Sequence, residues 1–82
     1  MAENPDNVTR LQVAGTKPED VGKGVARLGR SAMENLSVSE GDVVEITGKR
    51  STAAIALAPY AEDVGLDLIR LDGLQRANAD IG

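Results

Sequence analysis

From Val8 onward the apolar and polar positions alternate: Thr9, Leu11 and Val13 fall on one side of the chain, and Val8, Arg10, Gln12 and Ala14 on the other. A period of two belongs to a strand, so Val8 to Ala14 is predicted to be extended, with Leu11 and Val13 sharing a face. Thr16 to Lys23 contains Pro18 with glycines nearby and reads as a connecting loop. Gly24 to Leu28 is apolar apart from Arg27 and bounded by glycine, which suits a second short strand. Ser31 with Glu34 three residues later matches a capping box. The helix it would open, Ala32 to Leu36, is stopped early by Ser37, Ser39 and Gly41. Val43, Val44 and Ile46 supply the β-branched residues of a strand over Asp42 to Thr47. Gly48, Lys49 and Arg50 then turn the chain. Ser51 to Ala58 is ambiguous, because its alanines favour helix while Thr52, Ile55, Leu57 and the following Pro59 permit a strand. Leu66 to Leu71 is predicted as a strand and Gly73 to Ala79 as a short helix. Residues 1–7 have no apolar periodicity and read as a flexible arm.

A repeat resolves the ambiguity. Shifting the chain by 43 residues places Glu19-Asp20-Val21-Gly22 on Glu62-Asp63-Val64-Gly65, Arg27-Leu28 on Arg70-Leu71 and Asn35 on Asn78. Seven of the 21 residues from Glu19 to Ser39 are identical to their counterparts in Glu62 to Gly82. Chance recurrence of the tetrapeptide is a weaker account, since the apolar positions agree beyond it. Upstream, the apolar phase matches better with one extra residue, which sets Leu11 and Val13 opposite Ile55 and Leu57. Two copies of about 40 residues, neither able to bury its apolar face alone, predict a pseudo-twofold β-barrel in which each half lends an element to the other. The copies are residues 8–48 and 51–82. The first continues into Glu40-Gly41-Asp42-Val43-Val44-Glu45-Ile46, while the second has no such segment, so the barrel is expected to lack its final strand. An open edge of that kind favours a homodimer.

Composition narrows the function. At 82 residues the chain has room for one domain and no large internal cavity. Nine Lys and Arg stand against 13 Asp and Glu, a net charge of −4, and the basic residues form no patch, which argues against nucleic acid and anionic membrane. With no Cys and no His there is neither disulfide nor thiolate chemistry and no base tuned to neutral pH, and a reducing cytoplasm is the natural compartment. No run approaches the roughly 20 apolar residues of a membrane helix. Tyr60 is the sole aromatic residue, so the core must be built from Val, Leu, Ile and Ala. Such a small aliphatic interior fits a compact barrel.

The blocks Leu11-Gln12-Val13-Ala14, Pro18-Glu19-Asp20-Val21-Gly22, Gly24-Val25-Ala26-Arg27-Leu28, Glu40 to Ile46 and Leu68 to Asn78, in this order and spacing, resemble the N-terminal double-psi β-barrel of the valosin-containing-protein-like AAA ATPases. The resemblance implies a mainly β fold with two short helices over residues 8–82. It also implies a non-catalytic domain that holds substrate or adaptor proteins for a hexameric unfoldase, attached to the remaining ATPase chain. The family's phosphate loop has no match: Gly48-Lys49-Arg50-Ser51 departs from it at Arg50 and lacks the upstream glycine. No catalytic residue, cofactor or metal site is therefore assigned.

Among residues that could carry chemistry, Glu19-Asp20 and Glu62-Asp63 lie in predicted loops and read as solvated acids rather than a catalytic pair. Arg27 and Arg70, equivalent in the repeat, could grip a partner's carboxylate or pair with the loop acids. Together with Arg76 they are the candidate partner-binding residues. Two other classes fit less well. Pyruvoyl-dependent aspartate decarboxylases need a Gly-Ser bond, which is absent here. AbrB-like swapped-hairpin regulators, the alternative from the DNA-binding class, need basic residues where this chain carries Glu34, Glu40, Asp42 and Glu45.

Overall fold

The computed structural model describes residues 8–81; the arm assigned to residues 1–7 lies outside them. Five strands and two helices follow in order: β1 (Gln12–Gly15), β2 (Val25–Leu28), α1 (Arg30–Leu36), β3 (Val43–Thr47), β4 (Ser51–Leu57), β5 (Leu68–Leu71) and α2 (Gly73–Asn78). Short 3-10 turns over Pro18–Asp20 and Ala61–Asp63 precede β2 and β5. The strands form one sheet in the order β1-β5-β2-β4-β3. At its centre β2 and β5 run antiparallel, with Arg27 opposite Arg70. On either side lies a parallel pair, β1 with β5 and β2 with β4, and β3 closes onto β4 as an antiparallel hairpin.

The repeat governs this arrangement down to single residues. Gly22 and Gly65, 43 apart, both adopt positive φ (80° and 86°) after their 3-10 turns, as a glycine does most readily. Ser37 and Asp80, also 43 apart, end their helical segments in the left-handed region at φ 58° and 56°. The parallel ladders pair Gln12 with Leu68 and Val25 with Ile55, so Gln12 is equivalent to Ile55 and the shift of 43 holds upstream as well. The extra residue expected there does not exist. Apolar phase misled because it took Ile55 and Leu57 as the inward residues of β4. In the fold Ala54 and Ala56 face the core at 3% and 0% exposure, and Ile55 looks outward at 40%. An interior already holding Leu28, Leu71, Met33, Val44 and Ile46 leaves methyl-sized room at those positions. The alanines thus serve a strand, and tertiary packing overrides their helical preference.

Two boundaries differ from the sequence reading. Helix α1 begins at Arg30 after Gly29, whose backbone is extended and provides no side-chain cap, so Ser31 lies inside the helix and no capping box forms. Strand β1 begins at Gln12 rather than Val8, because among the described residues nothing pairs with the segment before it. Leu11 and Val13 nevertheless pack on the core as expected. At the far end, the Gly48–Arg50 turn is locked to the end of α2: the Arg50 N–H donates to the Ala79 carbonyl at 3.1 Å. A Cβ on Gly48 would stand 2.5 Å from Cγ1 of Ile81, so only glycine fits there.

Candidate functional site

The two central strands bring Arg27 and Arg70 face to face, an unfavourable juxtaposition of like charges unless each is neutralised. Each 3-10 turn delivers an aspartate to do so. Arg27 Nε donates to Asp20 Oδ2 at 2.8 Å and Nη2 to Oδ1 at 3.3 Å. Arg70 repeats this on Asp63 at 2.9 Å for both bonds. The third contact is repeated too: Arg27 Nη1 reaches the Ala58 carbonyl at 3.2 Å, and Arg70 Nη1 the equivalent Gly15 carbonyl at 2.9 Å. Each arginine therefore ties a loop, a central strand and the end of an outer strand together. Asp20 and Asp63, read from sequence as solvated, are 3% and 2% exposed. The bidentate guanidinium partner is what makes that burial tolerable, whereas Glu19 and Glu62 beside them stay at the surface.

Tyr60 breaks the symmetry. Its equivalent is Lys17, and the two meet near the pseudo-twofold axis, with Lys17 Nζ 4.6 Å from the ring centroid. The Arg27 and Arg70 guanidinium carbons lie 5.0 and 5.9 Å from the same ring. The phenol donates to Asp20 Oδ2 and accepts from the Lys17 backbone N–H at 3.1 Å. Lys17 Nζ completes the cluster by pairing with Glu62 at 2.7 Å. Three cations and three carboxylates thus cancel around one aromatic ring, so the cluster presents no net charge. Nothing in the sequence flagged Tyr60 as its hub, because the repeat places lysine at the equivalent position. The spacing of seven from Asp20 to Arg27 and from Asp63 to Arg70 was a usable signal for the pairs.

The hydrogen bonds from Arg27, then the one from Tyr60, lower the Asp20 carboxyl to a pKa of about 2. Arg70 lowers Asp63 in the same way, and Lys17 lowers Glu62. A depressed carboxylate stabilises the fold above its unfolded pKa, and that stability disappears as the group is protonated in the folded state. Unfolding followed by urea titration should therefore show stability holding down to about pH 4 and falling between about pH 4 and 2. In an Asp20→Asn variant the fall over that window should be shallower. Equal slopes in the two proteins would exclude Asp20 as a source.

Arg76, the remaining sequence candidate, lies in the last turn of α2 and is half-buried. Its Nη1 sits 3.9 Å from where a Cβ on Gly15 would stand, beside the carbonyl that Arg70 engages. Among the described residues it makes no ion pair. The structure thus gathers Arg70 and Arg76 at the end of β1, with Arg27 opposite Arg70 across the central pair. Asp72 is buried. It caps α2 by accepting from the Gln75 N–H at 2.8 Å, and binds the Val21-Gly22 loop through the Gly22 N–H at 2.8 Å. Among the described residues no group of three or more acidic side chains could hold a metal ion, and no helix is long and apolar enough to cross a membrane.

Comparison with known proteins agrees with this geometry. The model of the family described as Cell division protein 48 (CDC48), N-terminal domain, matches residues 10–82. A cell division cycle protein 48 homologue of Archaeoglobus fulgidus is 40% identical over 82 residues, all of this chain and 11% of its own length. Protein CdcH of Halobacterium salinarum is 41% identical over 76 residues, 93% of this chain and 10% of that protein. The chain therefore spans about a tenth of these relatives. The solved double-psi β-barrel (DPBB) domain of the valosin-containing-protein-like ATPase from Methanopyrus kandleri superposes with a TM-score of 0.86 at 42% identity, covering 88% of this chain and 84% of that domain. The corresponding domain from Thermoplasma acidophilum gives a TM-score of 0.84 at 32% identity, covering 88% of this chain and 79% of that domain. A double-psi β-barrel whose sequence and backbone both match these proteins belongs to the N-terminal domain family of cell division protein 48.

Proposed function

We propose that this chain is a non-catalytic module that holds substrate or adaptor proteins for a hexameric AAA ATPase in the cytoplasm. Membership of the N-terminal domain family carries the reading, and the absence of a phosphate-loop sequence supports the non-catalytic part. The surface suits a protein ligand. Val21 and its equivalent Val64 project at 61% and 69% exposure, with Leu66 at 50% and Leu74 at 65%. Among the described residues Arg27 and Arg70 each engage three N–H groups inside the fold, which leaves two for an external acceptor, and the Arg76 guanidinium makes no hydrogen bond. The DNA-binding alternative is not favoured: both halves of the barrel stand in one chain, and three of its cations are neutralised in ion pairs.

The test is binding of a permanently unfolded, reduced and carboxymethylated polypeptide, followed by fluorescence anisotropy. The wild-type chain should bind saturably. Arg76→Ala should weaken binding by roughly two- to fivefold at low salt, the difference should shrink near 0.5 M salt, and thermal stability should stay unchanged. Equal affinity of wild type and variant at low salt would remove Arg76 from the contact surface. Failure of the wild type to bind unfolded or folded partner proteins would defeat the protein-binding reading.

A further inference from the structure

The repeat equates α1 with α2, yet the two helices are fastened differently. Asp72 caps α2 with one carboxylate oxygen and accepts the Gly22 N–H at 2.8 Å with the other, so a single side chain joins helix to loop. Gln75, three residues on, donates its side-chain amide to the Ala53 carbonyl at 3.3 Å and ties α2 to β4 as well. A shift of 43 turns these two residues into Gly29 and Ala32, and the loop residue Gly22 into Gly65. Neither Gly29 nor Ala32 has a polar side chain. Among the described residues no hydrogen bond joins α1 to the loop 64–67, and a cavity of about 650 Å³ bordered by Gly29, Ala32 and Gly65 lies where those ties would run.

Charge widens the difference. Arg30 stands in the first turn of α1 and Glu34 in its last, each at the helix end whose partial charge it repels, whereas α2 starts at Asp72 and carries Arg76 in its last turn. After α1, Ser37 occupies the left-handed region that its equivalent Asp80 tolerates better. What holds α1 to the fold among the described residues is apolar contact: Ala32 and Met33 are buried and Leu36 packs on the core. Contact of that kind has no direction, and a foreign apolar side chain can replace the pliable Met33 as it could not replace the Asp72 and Gln75 hydrogen bonds. Both flanks of α1 are anchored. Before it β2 lies at the centre of the sheet, and after it the Ser39 N–H donates to Asp42 and the Gly41 N–H to the Ala56 carbonyl, each at 2.8 Å. Movement is thereby confined to residues 29–38.

We propose that α1 is a hinged lid. It leaves the loop 64–67 by rotation at Gly29 and Ser37 while the sheet stays folded, and an apolar stretch of an unfolded polypeptide takes the space that Met33 and Leu36 vacate. A seven-residue helix released from the core unravels, so each opening exposes its amides to water. Helix α2, fastened to a loop and a strand, stays closed. The inference rests on the reading of the chain as a protein-binding module, and names the element that yields to the partner.

Two measurements on the full 82-residue chain test it. In amide exchange at low urea, the Met33 N–H of α1 should exchange roughly ten- to a hundredfold faster than the equivalent Arg76 N–H of α2, with little dependence on urea. Equal rates with equal urea dependence would overturn the proposal. The second measurement uses Gly29→Asp, which restores the missing carboxylate. The Gly29 backbone is extended like that of Asp72, and a Cβ there would meet the Leu66 carbonyl oxygen at an ordinary 3.6 Å. This variant should slow exchange at Met33 by roughly three- to tenfold, leave Arg76 unchanged and melt a few degrees higher. Its affinity for the reduced, carboxymethylated polypeptide should fall by the same factor, because the partner binds only the open fraction. Unchanged exchange at Met33 in Gly29→Asp would overturn the proposal too. Slower exchange with undiminished affinity would remove the lid from binding and leave the protein-binding function standing. If the wild type binds no polypeptide, that function falls, and the lid's role with it, whether or not α1 opens.

Discussion

Leu28→Ala and Leu71→Ala are each expected to lower the free energy of unfolding by about 2–5 kcal/mol, the full range seen when a buried leucine is truncated in a tight core. These are the largest fully buried side chains, at 1% and 0% exposure, and they occupy equivalent ends of the two central strands. Their neighbours are strands pinned by ladders on both sides, so the space left behind cannot close by a local shift. A chain of this length holds roughly 4–12 kcal/mol in total, which means either substitution removes a large fraction. Because the repeat relates the two positions, the losses should agree closely and the double variant should be unfolded at room temperature. Urea denaturation monitored by circular dichroism measures all three. A loss below about 1 kcal/mol at one site and not the other would show that the barrel's interior is packed asymmetrically.

Arg27→Ala should destabilise by about 2–4 kcal/mol, less than truncating the equivalent Arg70. The reason lies in what is left behind. Asp20 is almost entirely buried and holds both the Arg27 fork and the Tyr60 phenol, so removing the arginine leaves a buried carboxylate with one neutral donor from a side chain. Asp63 lacks the phenol contact, so among the described residues Arg70→Ala leaves its carboxylate no side-chain donor, while each aspartate keeps one lysine that favours its charge, Lys23 for Asp20 and Lys17 for Asp63. Arg27→Lys should recover only part of the loss, since an ammonium group cannot make the forked contact and reach the Ala58 carbonyl as well. Thermal melts of the three variants at pH 7 give the ranking. The opposite order, Arg27→Ala costing more than Arg70→Ala, would mean that Tyr60 does not hold the Asp20 carboxylate once its arginine is gone. These variants bear on function too: loss of partner binding in Arg27→Ala or Arg70→Ala has to be compared at equal folded fraction, whereas Arg76→Ala is free of that coupling.

The order of strands and helices, the existence of the repeat and its shift of 43 were legible because each depends on local pattern: alternation of side chains, glycine at forced turns and identical short blocks. Arg27 and Arg70 were visible as equivalent residues for the same reason. What the chain could not disclose locally was which face of Ser51 to Leu57 turned inward. Both faces carry apolar residues, and only the parallel pairing with β2 set Ala54 and Ala56 against the core and Ile55 outside. The burial of Asp20 and Asp63 was likewise a tertiary decision, since an acid seven residues before an arginine becomes an ion pair only when a loop folds back over its own strand. Tyr60 and Lys17 lie 43 residues apart with no likeness of side chain, and the pseudo-twofold axis alone brings them together.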